Sequence, residues 1–208
     1  MNVSEIFYSI DGEGVRAGYP SIFIRTVGCN LRCNYCDTTY AFTGGQIMSI
    51  GEVLTAIKQY NCKNVTLTGG EPLLAQDTIE LLKQLYKQEY SVIVETNGSV
   101  DIGKAQKYAS ICMDWKVSSS GASHAMLESN IPKLRECDVL KFVVRSQDLQ
   151  EVEEFLKNHA IRSAIYISPV FGDIELPEIA DFTKRYGGRI AMQVQLHKVI
   201  WSPDKRGV

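Results

Sequence analysis

Three cysteines crowd into one short stretch, Cys29-Asn30-Leu31-Arg32-Cys33-Asn34-Tyr35-Cys36. The spacing C-x3-C-x2-C brings three thiols onto a single loop, and thiolates select soft centres such as zinc, copper(I) or an iron–sulfur cluster. A structural zinc site is as a rule closed by four ligands. Here the local count stops at three, because the nearest histidine is His124 and Cys62 lies beyond a helical stretch. Zinc would have to recruit a distant ligand. A cubane cluster held by three cysteines instead keeps one iron open to a small molecule, which makes it a reactive position. The scattered Cys62, Cys112 and Cys137 have apolar neighbours and read as buried small hydrophobes.

Other chemistry-bearing residues gather in short polar segments: Thr68-Gly69-Gly70-Glu71-Pro72, Glu95-Thr96-Asn97-Gly98, Asp114 with Lys116 and Ser118–Ser120, and Ser168-Pro169-Val170. Each follows an apolar run of strand length, as the cysteine loop does. The runs are 21–27, 64–67, 91–95, 111–115, 139–144, 164–167 and 190–196. They are mostly continuous and rich in Val and Ile, the pattern of parallel strands buried on both faces.

Helical periodicity fills the intervals. Ser49 with Glu52 forms a capping box ahead of Val53, Leu54, Ile57 and Tyr60, and Asp77 with Glu80 and Asp148 with Glu151 repeat the signature. Pro177 suits the first turn of a fourth helix running to about Arg185, before Gly187 and Gly188. Strand–helix alternation predicts right-handed βαβ units, and chemistry in such sheets collects at the carboxyl ends of the strands. A closed eight-unit barrel needs about 250 residues. The expectation is therefore an α/β fold, an incomplete TIM-like barrel of about six βα units, with residues 1–208 as one domain.

Composition narrows the function. The 208 residues are 45% hydrophobic and 22% charged with a net charge of -2, which fits a globular chain and gives no basic footprint for nucleic acid or a membrane surface. No apolar run approaches the roughly 20 residues of a membrane span. The acidic first residues, with Glu5, Asp11 and Glu13, do not read as a signal peptide. A cytoplasmic protein with reduced thiols is expected.

The cysteine spacing, with Tyr35 at the aromatic position before the third cysteine and the Gly69-Gly70-Glu71-Pro72 segment, resembles the radical S-adenosylmethionine enzymes. A finer set comprises Ser9-Ile10-Asp11-Gly12-Glu13-Gly14, Arg25, Cys36-Asp37-Thr38 and the terminal Lys205-Arg206-Gly207-Val208. This set resembles the 7-carboxy-7-deazaguanine synthases over residues 5–208, more weakly between 121 and 136. Asp11 stands where that family often has Gln. The resemblance implies conversion of 6-carboxy-5,6,7,8-tetrahydropterin to 7-carboxy-7-deazaguanine with loss of ammonia, in 7-deazapurine (queuosine) biosynthesis.

It also implies a [4Fe-4S] cluster on Cys29, Cys33 and Cys36, with S-adenosylmethionine cradled near Tyr35, Gly70, Glu71, Asp114, Lys116, Ser118, Ser168, Pro169 and Val170. Mg²⁺ is implied at Thr38. Substrate is implied at Ile10, Asp11, Gly12, Glu13, Arg25, Thr68, Glu95, His197 and Val208. A homodimer and a one-electron reductant such as flavodoxin or ferredoxin complete the implied set.

Several residues have plainer readings. Arg25 also reads as a strand-end charge, Glu95 as a loop cap and His197 as a core histidine against Trp201, while Glu71 orders its own loop. Lys205 and Arg206 would ordinarily form a solvated tail. Two other functions compete. A glycyl-radical activase shares the cysteine spacing but needs an open groove for a partner loop, and a non-catalytic metal module needs no S-adenosylmethionine.

Overall fold

Each apolar run becomes a strand of one sheet in the computed structural model, which describes residues 1–202 and 205–208. The strands are β1 (Asn2–Ile10), β2 (Pro20–Thr26), β3 (Gln46–Ile47), β4 (Asn64–Gly69), β5 (Ser91–Thr96), β6 (Ser110–Trp115), β7 (Val139–Val144), β8 (Ala164–Pro169) and β9 (Ala191–Met192). The helices are α1 (Ile50–Ile57), α2 (Thr78–Lys87), α3 (Leu149–Asn158), α4 (Leu176–Lys184) and α5 (Leu196–Ile200). The sheet order is β3-β1-β2-β4-β5-β6-β7-β8-β9. From β2 to β9 every pairing is parallel, whereas β1 runs antiparallel to β2 and to β3. With β3 and β9 as its outer strands, the sheet is an incomplete TIM-like barrel.

Burial follows the two faces of the strands. In β7, Leu140, Phe142 and Val144 point to the main core, where Val152 of α3 and Phe182 of α4 join them. Val139 points the other way, into a small apolar layer with Ile93 and Cys112. Side chains alternate along a strand, so Lys141 shares that inner face with Val139. Its direct neighbour across the β6–β7 pair is Asp114.

The helix starts differ in how they are held. Ser49 caps α1 reciprocally with Glu52, as its spacing predicts. Asp77 makes no side-chain cap and instead pairs with the amino terminus of Met1 at 2.9 Å. Asp148 does not cap α3 either: it accepts from the Arg145 amide at 2.7 Å and the Ser119 hydroxyl at 2.7 Å, tying the β6 loop to the β7 loop. Pro177 sits in the first turn of α4.

Other expectations are corrected as well. The strand expected over 190–196 is only Ala191–Met192, because Gln193 turns inward to exchange two hydrogen bonds with Gly14, at 2.6 and 2.9 Å. Strand β1 carried no apolar run, since its residues are mostly half-buried near the sheet edge. Of the scattered cysteines only Cys112 is buried; Cys62 is half-buried and Cys137 exposed. Between β5 and β6, and between β6 and β7, the crossovers contain short 3₁₀ turns in place of an α-helix.

The connection between β1 and β2 folds into the amino-terminal mouth of the barrel. The Arg16 guanidinium donates to the carbonyls of Val65 at 2.7 Å and Ser91 at 2.8 Å, at the starts of β4 and β5. The buried Asp11 carboxylate accepts from the Thr66 hydroxyl at 2.7 Å. Residues 11–19 thus close one end and leave the opposite rim open.

Candidate active site

The open rim holds a cavity of about 600 Å³ that receives a loop from nearly every parallel strand. Its volume suits a small-molecule site. From the loop after β2 come Cys29, Cys33 and Cys36, all half-buried and none in a disulfide. The loop is pinned at both ends: the Gly28 amide donates to Ala41 at 2.8 Å and the Asn34 amide to Ser120 at 2.9 Å. Tyr35 donates its hydroxyl to the Val143 carbonyl at 3.2 Å and lies between the cations of Lys116 and Arg145, 5.7 and 5.6 Å from its ring. Burial pushes the Cys33 and Cys36 thiols up, against the nearby Lys116 ammonium. Among the described residues no three His, Cys, Asp or Glu side chains converge as ligands of a single ion. The three thiols share one cavity wall instead, an all-sulfur donor set that fits a multi-iron cluster.

Next to them lies the loop after β4. Glu71 is buried and accepts from the Leu73 amide at 3.0 Å, the Asn97 amide at 2.7 Å and the Thr96 hydroxyl at 2.9 Å. Its carboxylate therefore holds the β4 and β5 loops together and does not line the cavity. Gly70 does line it, and packs so closely on the cysteine loop that a Cβ there would stand 2.2 Å from the Gly28 oxygen.

Below this rim is a charged layer. Lys141 lies 3.0 Å from Glu13, 3.7 Å from Glu95 and 3.8 Å from Asp114, while Lys116 takes Asp114 at 2.8 Å. Burial works against the Lys141 charge, but these carboxylates raise its pKa well above the usual value. Desolvation pushes Glu95 up to about 7, with Lys141 opposing. Glu13 Oε1 and Asp114 Oδ1 are buried without a hydrogen-bond partner among the described residues. They are acceptors suited to a ligand rich in N–H or O–H donors.

The carboxyl-terminal segment covers one side. Leu196 donates its amide to Gly12 at 3.1 Å, and His197 packs on Gly12, whose Cβ would stand 2.4 Å from Nδ1. This places His197 on the cavity wall, and burial lowers its pKa. Lys198 pairs with Asp37 at 2.7 Å, beside Thr38. Arg25 lines the cavity with Nε on Glu5 at 2.7 Å, and Tyr40 donates to the same carboxylate at 2.8 Å. Arg206 stacks on Tyr40 at 4.0 Å, so Lys205 to Val208 lie along the wall and not in a free tail.

Of the residues expected at the site, Ser118 and Ser168 join Glu71 outside the wall. Ser118 is exposed at the end of the β6 loop, its amide held by Glu151 at 2.9 Å. Ser168 is fully buried with an unpartnered hydroxyl, one residue below Pro169 and Val170, which do line the cavity. Ile10, Asp11, Gly12, Glu13, Thr38, Thr68, Glu95, Asp114, Lys116 and Val208 are all on it. Sequence reading passed over Lys141. Its signal was there: a lysine inside the run Val139-Leu140-Lys141-Phe142-Val143-Val144 must be buried, and a buried lysine needs partners.

Comparison with known proteins follows the same lines. Residues 23–115 match the model of the radical SAM superfamily. The 7-carboxy-7-deazaguanine synthase of Clostridium acetobutylicum is 44% identical, over 99% of this chain and 98% of that protein. The synthase of the same name from Methanospirillum hungatei is 42% identical over 98% of this chain and 86% of its own length. The crystal structure of QueE from Escherichia coli superposes with a TM-score of 0.75 over 93% of both chains at 21% identity, a likeness of fold.

Proposed function

The chain belongs to the 7-carboxy-7-deazaguanine synthase family, and on that premise we propose that it contracts the ring of 6-carboxy-5,6,7,8-tetrahydropterin to 7-carboxy-7-deazaguanine with loss of ammonia. It would do so as a radical S-adenosylmethionine carbon–nitrogen lyase of 7-deazapurine biosynthesis. The observation that carries this reading is the meeting of three free thiols, the Gly70 loop and a donor-seeking carboxylate floor in one cavity.

Cys29, Cys33 and Cys36 would hold the [4Fe-4S] cluster, which when bound supplies the electron that cleaves S-adenosylmethionine to methionine and a hydrogen-abstracting adenosyl radical. The protein's own residues bind, orient and exclude water. Gly70 lets backbone approach the methionyl end, and Asp114, Lys116 and the Pro169–Val170 edge border the rest of that ligand. Glu13 and Glu95 accept the N–H edge of the pterin, as a carboxylate accepts parallel N–H bonds. The guanidinium of Arg25, with Nε on Glu5, turns its remaining donors towards the substrate carboxylate.

The terminal segment bearing Arg206 and Val208 lies on the wall where a protein loop would have to enter, which favours a small substrate over a glycyl radical partner. We take the enzyme as one domain over residues 1–208, a cytoplasmic homodimer reduced by flavodoxin or ferredoxin, on the family resemblance. No described helix is long and apolar enough to cross a membrane.

Anaerobic turnover decides the reading. Cluster-loaded protein with reductant, S-adenosylmethionine, Mg²⁺ and 6-carboxy-5,6,7,8-tetrahydropterin is expected to yield 7-carboxy-7-deazaguanine by mass. Formation of 5′-deoxyadenosine alone would remove the pterin assignment. Thr38 lines the cavity with its hydroxyl on Asp37 at 2.9 Å, a hard oxygen donor suited to Mg²⁺ with water and the substrate carboxylate. Thr38→Ala is expected to raise the Mg²⁺ concentration for half-maximal turnover about tenfold, the loss of one good ligand interaction. An unchanged Mg²⁺ titration would take Thr38 out of the metal site.

A further inference from the structure

A lysine at the middle of a barrel strand is costly unless its charge is used. Lys141 is 4% exposed, its stem is flanked along β7 by Val139 and Val143, and its ammonium reaches Glu13 at 3.0 Å and Glu95 at 3.7 Å. The two carboxylates come from opposite directions, one from the connection that closes the barrel mouth and the other from the end of β5. Both carboxylates thus meet at the one ammonium.

Their surroundings do not otherwise balance them. Asp114 is taken by Lys116, and the Arg16 guanidinium is spent on Asp11 and the carbonyls of Val65 and Ser91. His197 and the Cys112 thiol face the same layer. Among the described residues Lys141 is the one cation paired with both Glu13 and Glu95.

Resting on the proposed pterin reading, we propose that Lys141 is the positioning residue of the substrate floor. Its ammonium draws Glu13 and Glu95 side by side, offsets part of their negative charge, and presents their free oxygens to an edge of N–H donors. Although Lys141 lines the cavity, its ammonium is turned to the carboxylates, and it would act through them. Glu13 Oε1, buried and unpartnered, is the acceptor that this arrangement leaves for the ligand.

The test compares wild-type enzyme with Lys141→Met. Losing the ammonium strands two buried carboxylates, a change that costs of the order of 30-fold or more in binding. KM for 6-carboxy-5,6,7,8-tetrahydropterin is therefore expected to rise at least about tenfold, while kcat changes far less. The acid limb of kcat/KM should move to higher pH by about one unit, because Glu95 without the Lys141 charge holds its proton longer. An isotope-edited infrared titration of the glutamate carboxyls, made without pterin, should show the same upward move.

If Lys141→Met does not fold, Glu13→Gln/Lys141→Met removes one charge of each sign. Against Glu13→Gln alone, it should still protonate Glu95 at higher pH. A KM within twofold of wild type together with an unmoved carboxyl titration would overturn the proposal. Wild-type enzyme that makes no 7-carboxy-7-deazaguanine would instead overturn the pterin reading, and the infrared titration would still decide whether Lys141 holds the pair.

Discussion

Cys33→Ala is expected to reduce S-adenosylmethionine cleavage to background and to strip iron from anaerobically reconstituted protein. The three thiols of the cavity wall are held by a loop with little freedom. It is tied to the β4 loop by the Glu71 amide on Gly28 at 2.8 Å and to the β6 loop by the Asn34 amide on Ser120 at 2.9 Å, and Cys36 donates its amide back to the Cys33 carbonyl at 3.2 Å. Burial disfavours free thiolate at Cys33 and Cys36. Iron ligation by these two thiols would therefore release protons. Two thiolates cannot replace three, and the loss is of the whole centre. Cys137→Ala is the matched control: this exposed cysteine, beside the Asp138 that binds Arg135, is remote from the cavity wall. Iron content and cleavage should there equal wild type. Cleavage of S-adenosylmethionine by Cys33→Ala at a normal rate would sink the ligand assignment.

How legible was this in the amino-acid order? The parallel strands announce themselves because burial on both faces demands continuous apolar runs, and the loops after them because glycines and charges interrupt those runs. Local devices were legible where sequence neighbours satisfy each other, as Ser49 and Glu52 do. They failed where a distant partner wins: Asp77 is claimed by the amino terminus and Asp148 by Arg145 and Ser119. The same rule separates the site residues. Cysteine spacing is local and readable. The layer of Glu13, Glu95, Asp114 and Lys141 draws on four segments, and only the parallel register that sets Asp114 beside Lys141 brings it together. Glu71 shows the converse, since its motif position suggested a ligand contact while the Leu73 and Asn97 amides and the Thr96 hydroxyl hold its carboxylate away from the cavity.

Gly70→Ala should be nearly as severe as loss of a cysteine, and for a steric reason alone. Gly70 carries an ordinary backbone conformation, so no left-handed strain enters. Space decides instead. An added Cβ would stand 2.2 Å from the Gly28 oxygen, 2.6 Å from the Gly28 carbon and 2.7 Å from Cys29 Cβ. These atoms are backbone or the root of the Cys29 side chain, and none can rotate away. The two loops are also sewn together, with Glu71 donating its amide to that Gly28 oxygen at 2.8 Å and Gly70 its own to Thr26 at 3.2 Å. Ordinary contact begins near 3.4 Å, so the loops must part by about 1 Å, and a misplacement of that size costs about 100-fold in rate. The expected result is kcat/KM lowered at least that far, with iron still bound because all three thiols remain. Gly51→Ala isolates the cause: its Cβ would meet nothing nearer than Ser49 Oγ at 3.9 Å within α1. Removing a helical glycine should raise stability by about 0.5–1 kcal/mol and leave turnover alone. Equal activity of the Gly70 and Gly51 variants would show that the cysteine loop yields where its contacts say it cannot.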